Sequence, residues 1–432
     1  MFENYLKMSI KVLLRKKFFT GISLFGISFT ILVLIIASSF LEHSLNPGGP
    51  RVNDDRTLIA DRLLGRDSAK TSQWHSSPGY GFYRKYAKKM VLPKYVSVIT
   101  NGSSYYTYVE GEKLNFMSKY TDADFWKIYK FNFLYGKPFT AEDNDAAQKV
   151  AVISEQTAEK YFGEKNVVGQ FIDISGQFYK VIGVVENISV VNTLLHADMW
   201  IPVKTNQKLE DDIFGGSKII VLANSPDDFT QIKNDFLDVT KEALHDPKIT
   251  TSYVDEMKCE LKTPFEKTFK TLTMQRDDFS GYTTNSNYIP QESGIMKVVI
   301  LSSLVGVVII LFMLLPSINL VNINLSRMVE RNSEIGVRKA FGASNNVLVG
   351  QFVTENIILT TIGGLLSLVL SYIIIQIVNT SESIPHLELS INLTVFVAAF
   401  FICLLFGILS GVYPAYKMSR MHPVEALRGG EK

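Results

Sequence analysis

The chain has 432 residues, of which 47% are hydrophobic and 20% charged, and its mean hydropathy is +0.13. These values favour a protein that is part membrane-embedded and part water-exposed. The 44 Lys and Arg are almost balanced by 42 Asp and Glu, which excludes the strongly basic surface typical of nucleic-acid binding. Cys259 and Cys403 lie in a polar and an apolar region, so they predict no disulfide framework.

The first predicted element is an amphipathic helix over residues 1–17. Phe2, Leu6, Ile10 and Leu13 follow one helical stripe, while lysines and an arginine occupy another. This pattern is typical of a helix that lies in the membrane interface, with its basic face toward anionic lipid headgroups. A helical cytoplasmic tail without lipid contact is the alternative.

Membrane-spanning helices need about 20 mostly apolar residues, and the chain has stretches of this kind at residues 18–41, 298–321, 347–378 and 389–416. Together they contain one charged residue, Glu355. A charged group inside a span often marks a proton or ion pathway. Glu355 lies near the start of its stretch, however, so we expect it to face other helices.

Lysine and arginine collect before residue 18, within 322–346 and within 417–432, and the link 379–388 has none. Because such residues are retained on the cytoplasmic side, both termini and the 322–346 link are predicted in the cytoplasm. Residues 42–297 are then extracytoplasmic. The sequence thus predicts an inner (cell) membrane, multi-pass protein with a large periplasmic or extracellular domain.

Residues 42–297 are numerous enough for a packed domain and show an α+β pattern. Thr121 and Asp124 have capping-box spacing at a predicted helix start. "VAVIS" predicts a buried strand, followed by a helix that Ser154 caps and Gly163 ends, and by a hairpin turning at Ser175 and Gly176. Further strands at "MWIPV" and "SKIIVLAN" precede a helix capped by Ser225.

The sequence of this domain contains no motif that indicates a catalytic or metal-binding site. Its histidines have no metal-ligand spacing, and it has no CxxC, HExxH or GxSxG motif. The 432 residues contain no GxxxxGK[ST] phosphate-binding loop either. We therefore predict a non-catalytic chain with no metal or cofactor of its own; if ATP drives it, another chain supplies the ATPase.

The cytoplasmic link 322–346 contains a short charged helix, "RNSEIGVRKAFGAS", between two spans. Such a helix can bind in a groove of a partner, with Ile335 and Phe341 as apolar anchors and Gly336 permitting close approach. Arg338 and Lys339 also favour the helix C-terminus before Gly342. The residues alone leave partner binding and a lipid-surface helix both open.

Several motifs resemble a known family. "ERNSEIGVRKAFGAS" and the tail "YPAYKMSRMHPVEALRGG" are similar to the link and C-terminal motifs of FtsX-like and MacB-like ABC transporter permeases of the type VII, mechanotransmission class. "GKPFTAEDND", "VAVISEQTAEKYFGEKNVVGQ" and "YKVIGVVEN" resemble the MacB-like periplasmic core domain. The predicted fold is therefore an α-helical membrane protein with four transmembrane helices plus an α+β, MacB-like extracytoplasmic domain.

The resemblance implies a homo- or heterodimer of permease chains bound to cytoplasmic ABC ATPase subunits, which carry ATP and Mg. The link is then a coupling helix, and the C-terminal tail a second contact. The predicted ATPase-contact residues are Arg331, Glu334, Ile335, Gly336, Arg338, Lys339, Phe341 and Gly342, with Pro423, Glu425, Leu427 and Arg428 in the tail.

Function remains open within this resemblance. Export of peptides, antimicrobials or lipoproteins is the first hypothesis, and it allows a periplasmic adaptor or outer-membrane component as a further partner. An FtsX-like regulator of an extracytoplasmic cell-wall hydrolase is the second. A membrane-anchored receptor or scaffold without an ATPase is an alternative of a different class.

Overall fold

The computed structural model describes most of the predicted outer domain and parts of the predicted membrane region. The described residues are 15, 17–45, 49–66, 73–109, 111–174, 176–246, 254–267, 307, 337, 341, 344–381 and 389–419. The chain divides into two units, Met1–His43 with Val298–Lys432 and Ser44–Lys297. Most of segment 1–17, the span 298–321 and the tail 420–432 lie outside the described residues.

The described residues of the outer unit, Ser44–Lys297, contain the strands and five short to medium α-helices with both ends described, and residues 264–267 are helical as well. Its strands are β1 (Thr57–Ala60), β2 (Leu63–Arg66), β3 (Gln73–Pro78), β4 (Tyr95–Thr100), β5 (Ser103–Val109), β6 (Glu112–Thr121), β7 (Phe133–Gly136), β8 (Val150–Ser154), β9 (Phe171–Ile174), β10 (Gln177–Val185), β11 (Met199–Pro202), β12 (Phe214–Gly215), β13 (Ser217–Leu222) and β14 (Glu256–Cys259). The helices are numbered in chain order, and α1 (Lys17–Leu45) belongs mainly to the other unit, called the membrane unit below. The helices of the outer unit are α2 (Tyr80–Lys85), α3 (Phe125–Ile128), α4 (Ala141–Asp145), α5 (Glu155–Phe162) and α6 (Phe229–Leu244).

Ten of these strands form one large mixed sheet in the order β1-β13-β4-β6-β11-β8-β10-β7, with β5 beside β6 and β9 beside β10. The β6–β11 and β8–β10 pairs are parallel. The remaining strands form a smaller sheet, β12-β3-β2-β14. Apolar side chains pack on both faces of the large sheet, one core around Phe82 and Ile153 and the other around Phe125 and Trp200. The predicted α+β fold of this unit is thereby confirmed.

The segment that begins at β8 follows the prediction closely. Ser154 precedes α5, and its hydroxyl accepts a hydrogen bond from the amide of Thr157 at 3.2 Å. Gly163 ends α5 in the left-handed conformation, with φ of 75°. The β9–β10 hairpin turns just before β10, where Gly176 has φ of 83°. Local capping and turn chemistry therefore determine these boundaries.

The predicted capping box of Thr121 and Asp124 is wrong. Thr121 belongs to β6, and its hydroxyl donates to the carbonyl of Val98 at 2.7 Å. Asp122 instead accepts from the amide of Phe125 at 3.3 Å, at the start of α3. Strand β6 therefore extends through Thr121, the residue at which the sequence spacing had placed the helix cap. It does so because pairing with β4 satisfies the polar groups of Thr121. A capping box that the sequence interpretation missed lies at Thr140 and Asp143, before α4.

Asp122 also links α2, β4 and the start of α3 through a buried hydrogen-bond network. Tyr83 of α2 donates to one of its carboxylate oxygens, and Ser97 of β4 donates to the other at 2.5 Å. Burial raises the pKa of Asp122, against the lowering effects of Lys88 and of these hydrogen bonds. The network ties α2 and α3 to the sheet.

The other predicted cap is confirmed. Ser225 accepts from the amide of Asp227 at 3.3 Å, and the carboxylate of Asp228 accepts from the amide of Ser225 at 3.0 Å. This capping box starts a short 3-10 turn, Pro226–Asp228, that leads into α6. Its buried face includes Ile232 and Phe236, which join the first core.

The membrane unit contains three described helices, α1 (Lys17–Leu45), α7 (Asn345–Thr380) and α8 (Leu393–Ser419). Within the described residues, two apolar segments are long enough to cross a bilayer, residues 20–40 and 349–380, and α8 has a shorter apolar stretch at residues 393–405. Residues 389–392, predicted to begin the last span, are not helical. Asn392 caps α8 instead, since its side-chain oxygen accepts from the amide of Val395 at 3.0 Å.

Two glycines with positive φ offer a matched test of the sheet. A Cβ at Gly136, φ 71°, would lie 2.1 Å from the carbonyl oxygen of Ile182 in β10, whereas at Gly176, φ 83°, it would meet nothing within 4 Å. Both Ala substitutions strain the backbone by about 1–2 kcal/mol. We expect Gly136→Ala to lose about 1–3 kcal/mol more, because β7 must move away from β10.

All three tryptophans, Trp74, Trp126 and Trp200, belong to the outer unit. Urea unfolding of the full chain in detergent, followed by tryptophan fluorescence, therefore measures this unit. Equal losses in the two variants would show that the β7–β10 contact does not limit its stability.

Candidate functional site: the membrane helices and the coupling segment

Of the residues predicted to contact an ATPase, the structure describes Phe341. Its amide donates to the carbonyl of Val337 at 3.1 Å, and Val337 is helical. The side chain of Phe341 is 89% exposed. The remaining candidates lie outside the described residues, namely Arg331, Glu334, Ile335, Gly336, Arg338, Lys339, Gly342, Pro423, Glu425, Leu427 and Arg428.

Helix α7 begins immediately after this segment. Ser344 has the extended conformation of an N-cap residue, and its carbonyl accepts from the amide of Val347 at 3.1 Å. Residues 342–344 alone separate Phe341 from the first residue of α7. A large apolar side chain is thus exposed within a few residues of a 36-residue helix.

Helix α7 has an inverted distribution of polarity. Its buried face is rich in polar side chains, each at most 5% exposed: Gln351, Glu355, Asn356, Thr360, Ser367 and Ser371. Its exposed face is apolar: Ile357, Ile362, Leu365, Leu366, Val369, Leu370, Tyr372, Ile373 and Ile377. A helix in water shows the opposite arrangement, whereas helices in lipid hide polar groups against one another.

Glu355 lies on the buried face. It is 4% exposed, and one of its carboxylate oxygens accepts from the side-chain amide of Gln351 at 3.2 Å, one turn earlier. Asn356 beside it is 5% exposed. The prediction that Glu355 faces other helices is confirmed by its burial, and Gln351 and Asn356 are buried as well.

Two consecutive glycines let α7 approach both neighbouring helices. A Cβ at Gly363 would lie 2.8 Å from Cγ2 of Ile27 in α1, and one at Gly364 would lie 2.7 Å from Cδ2 of Phe400 in α8. Ile27 and Cys403 belong to the apolar cluster that the three helices share. Gly363 and Gly364 therefore serve close helix packing, and α7 is the central helix of the three described helices.

Hydrogen bonds join the same end of all three helices. The Ser39 hydroxyl of α1 donates to the carbonyl of Ser390, just before α8. Asn379, near the end of α7, donates to the carbonyl of Leu389 at 2.9 Å and accepts from its amide at 2.9 Å. Asn392 also donates to the carboxylate of Glu42 at 2.8 Å. Helices α1 and α7 therefore run in the same direction, and α8 runs opposite to them.

Comparison with protein families identifies the chain. Residues 20–239 match the model for the MacB-like periplasmic core domain, and residues 306–423 match the model for the FtsX-like permease C-terminal region. The chain belongs to the family of ABC transporter permeases that combine these two parts. It is therefore a membrane protein, and its predicted family is confirmed.

Among curated relatives, the ABC transporter permease YknZ of Bacillus subtilis is 25% identical over 68% of this chain and 65% of that protein. The macrolide export ATP-binding/permease protein MacB of Bdellovibrio bacteriovorus is 28% identical over 68% of this chain and 41% of that protein. The chain thus matches somewhat less than two thirds of the first relative and about two fifths of the second.

The solved structures include the periplasmic region of MacB from Actinobacillus actinomycetemcomitans. It is 16% identical to this chain, covers 54% of it and 98% of that region, and has a TM-score of 0.37.

The glycine pair predicts a ranked effect of substitution. Gly363→Ala places a methyl group 3.0 Å from the Cβ of Ile27, which is fixed to its backbone, whereas Gly364→Ala meets the ring of Phe400, which can rotate. Gly350→Ala in the same helix meets nothing within 4 Å and is the control. We expect the packing of α7 to be loosened most by Gly363→Ala, less by Gly364→Ala and least by Gly350→Ala. Ala itself favours the helix by about 1 kcal/mol at each of the three positions, so the order reflects the contacts of the added methyl group.

Cys403 provides the measurement, since it is 5% exposed in the shared cluster. In a Cys259→Ala background, the rate of maleimide labelling of the full chain in detergent reports opening of the three-helix packing. Labelling that is as fast in Gly350→Ala as in Gly363→Ala would contradict the assigned role of the glycine pair.

Proposed function

We propose that this permease is the membrane subunit of an ABC transporter complex whose ATP is hydrolysed by separate cytoplasmic ATPase subunits. Phe341 is the observation that carries the proposal. An 89% exposed phenylalanine next to α7 has the character of an apolar anchor for a partner groove, as aromatic residues dominate the binding energy of many interfaces. In this proposal, the segment 322–346 is the coupling helix and the tail 417–432 is a second contact.

The proposed topology has four spans with both termini in the cytoplasm. Because α1 and α7 run in the same direction, the chain between them has to return across the bilayer. The apolar stretch 298–321 is the segment available for that return. The basic residues before 18, within 322–346 and after 416 support the orientation.

We propose a separate ATPase by comparison with some relatives and from the motifs of these residues. Proteins named as ATP-binding/permease chains are matched over about two fifths of their length, and these 432 residues contain no P-loop. We propose that ATP and Mg bind on the partner, and that closure of two ATPase subunits moves the helices of two permease chains.

The proposed work of the complex is export. Two relatives are named for export, MacB of Bdellovibrio bacteriovorus for macrolide export and PvdT of Pseudomonas aeruginosa for pyoverdine export. By this analogy we propose that movement of the outer domain drives release or export of a peptide, an antimicrobial compound or a lipoprotein.

Co-purification tests the ATPase contact. We expect a tagged full-length chain, extracted in detergent from its own cells, to retain a P-loop ATPase identified by mass spectrometry. Phe341→Ala removes the proposed anchor, and we expect it to weaken retention by about thirtyfold, which corresponds to about 2 kcal/mol. Glu334→Lys, which reverses a proposed polar contact, should weaken it as well.

Phe25→Ala is the matched control, since Phe25 of α1 is 68% exposed and contacts Phe29 at 5.5 Å between ring centroids. It removes the same side chain from a helix surface that we assign to lipid. Retention of the ATPase by Phe341→Ala, or absence of any P-loop ATPase from the wild-type complex, would show that the segment binds no ATPase and would favour a lipid-surface helix.

A further inference from the structure

Two lysines of the large sheet of the outer unit lie on the same face, two strands apart. Lys218 of β13 is opposite Ile99 of β4, and Ile99 is opposite Thr121 of β6. Lys119 precedes Thr121 by two residues in β6 and therefore points to the same side of the sheet. That side also carries the second apolar core, which includes Ile99.

Lys119 is almost completely buried, with 3% of its surface exposed. Its ammonium group donates to the carbonyls of Thr193 and Leu194 at 2.7 and 2.9 Å. An ammonium group has three N–H donors, and within the described part of the chain the third has no acceptor. Its two partners are dipoles, so no carboxylate of the described residues compensates its charge.

Lys218 is half-buried, and it forms no hydrogen bond or ion pair with the residues that the structure describes. Lys267 lies close enough to lower the pKa of both Lys119 and Lys218. The ammonium of Lys267 contacts the carboxylate of Asp61 at 2.7 Å. Although burial opposes it, Lys267 together with Lys262 and Lys218 holds the pKa of Asp61 below its ordinary value. Asp61 thus faces several ammonium groups.

Burying a charge without a counter-charge costs several kcal/mol, even after relaxation. A group of ammonium ions avoids that cost in two ways, by losing protons or by binding an anion. Lysine binds phosphate as a point charge, and a phosphate with a second ionisable proton carries about −1.5 to −2 charges near neutral pH, whereas the phosphodiester of a phospholipid headgroup carries one negative charge. A phosphate dianion matches the charges of two ammonium groups better than a single carboxylate does.

We propose that Lys119 and Lys218, with Lys267 beside them, bind a phosphate group, carried either by free phosphate or by a phospholipid headgroup. The free N–H of Lys119 forms the inner end of the site, and half-buried Lys218 forms its entrance. This inference concerns the outer unit alone and does not depend on the proposed ATPase contact.

Proton uptake distinguishes this site from ordinary surface binding. Burial first, and then the neighbouring Lys218 and Lys267, lower the pKa of Lys119 to about 7. Burial and Lys267 lower the pKa of Lys218 to about 8, against the effect of Asp61. At pH 7.5 both groups are partly neutral, and a bound phosphate raises both pKa values. Binding therefore draws protons from solution.

Calorimetric titration with inorganic phosphate at pH 7.5 tests the proposal on the full chain in detergent. Repeating it in two buffers of different ionisation enthalpy measures the protons taken up. We expect uptake in the wild type, and about tenfold weaker binding in Lys218→Gln, the loss of one charged contact being about 1.4 kcal/mol. Lys119→Met should abolish binding.

Lys94→Gln is the matched control, because Lys94 is an exposed lysine of the same unit. We expect it to bind phosphate as the wild type does. Tryptophan fluorescence checks that Lys119→Met is folded, and Lys218→Gln keeps the test decisive if it is not. No binding by the wild type, binding without proton uptake, or equal weakening by Lys94→Gln and Lys218→Gln would overturn the proposal.

The source of the phosphate group is tested in nanodiscs. A headgroup ligand predicts that phosphatidylglycerol nanodiscs, unlike phosphatidylcholine nanodiscs, block titration by inorganic phosphate, and that Lys218→Gln relieves this block. Equal titration in both lipids assigns the site to free phosphate. Failure to titrate in either lipid and in detergent would exclude the site.

Discussion

The membrane unit depends on the need to keep the polar face of α7 away from lipid. Polar side chains such as Glu355 and Ser367 are buried there, and an unsatisfied polar group costs several kcal/mol in hydrocarbon. Neighbouring helices cover this face only if their backbones come close, which Gly363 and Gly364 permit on two sides. The same constraint explains why the exposed face of α7 is its apolar one, and why α7 lies between α1 and α8.

In the outer unit, the first strand pairs with a residue close to the end of the described part of the unit. Strand β1 begins 12 residues after the end of α1, and Ile59 in β1 exchanges two backbone hydrogen bonds with Lys262, at 2.8 and 2.9 Å. Residue 262 lies near the end of the described part of this unit. The first strand of this unit and its last described segment, residues 254–267, therefore meet at the β1 edge of the large sheet.

Local sequence patterns predicted the elements whose boundaries depend on local chemistry, such as α5 with Ser154 and Gly163. They failed where contacts with distant parts of the chain decide the outcome. Thr121 continues β6 because its hydroxyl bonds to β4, and α8 begins only after Asn392 because the preceding residues bond to α1 and α7. The phosphate site could not be predicted for the same reason. Lys119 and Lys218 are almost 100 residues apart, and only the register of three strands brings them to one face.

Under the proposed function, force from an ATPase enters near Phe341 and reaches α7 through residues 342–344. The displacement then passes from α7 to both neighbouring helices, because Gly363 lies against Ile27 of α1 and Gly364 lies against Phe400 of α8. Helix α1 is joined to β1 by residues 46–56 of the chain. A close-packed interface transmits such a displacement because it tolerates little compression. Under the proposed function, the stiffness of the contacts that α7 makes with α1 and α8 therefore limits how much displacement α7 passes to its neighbouring helices.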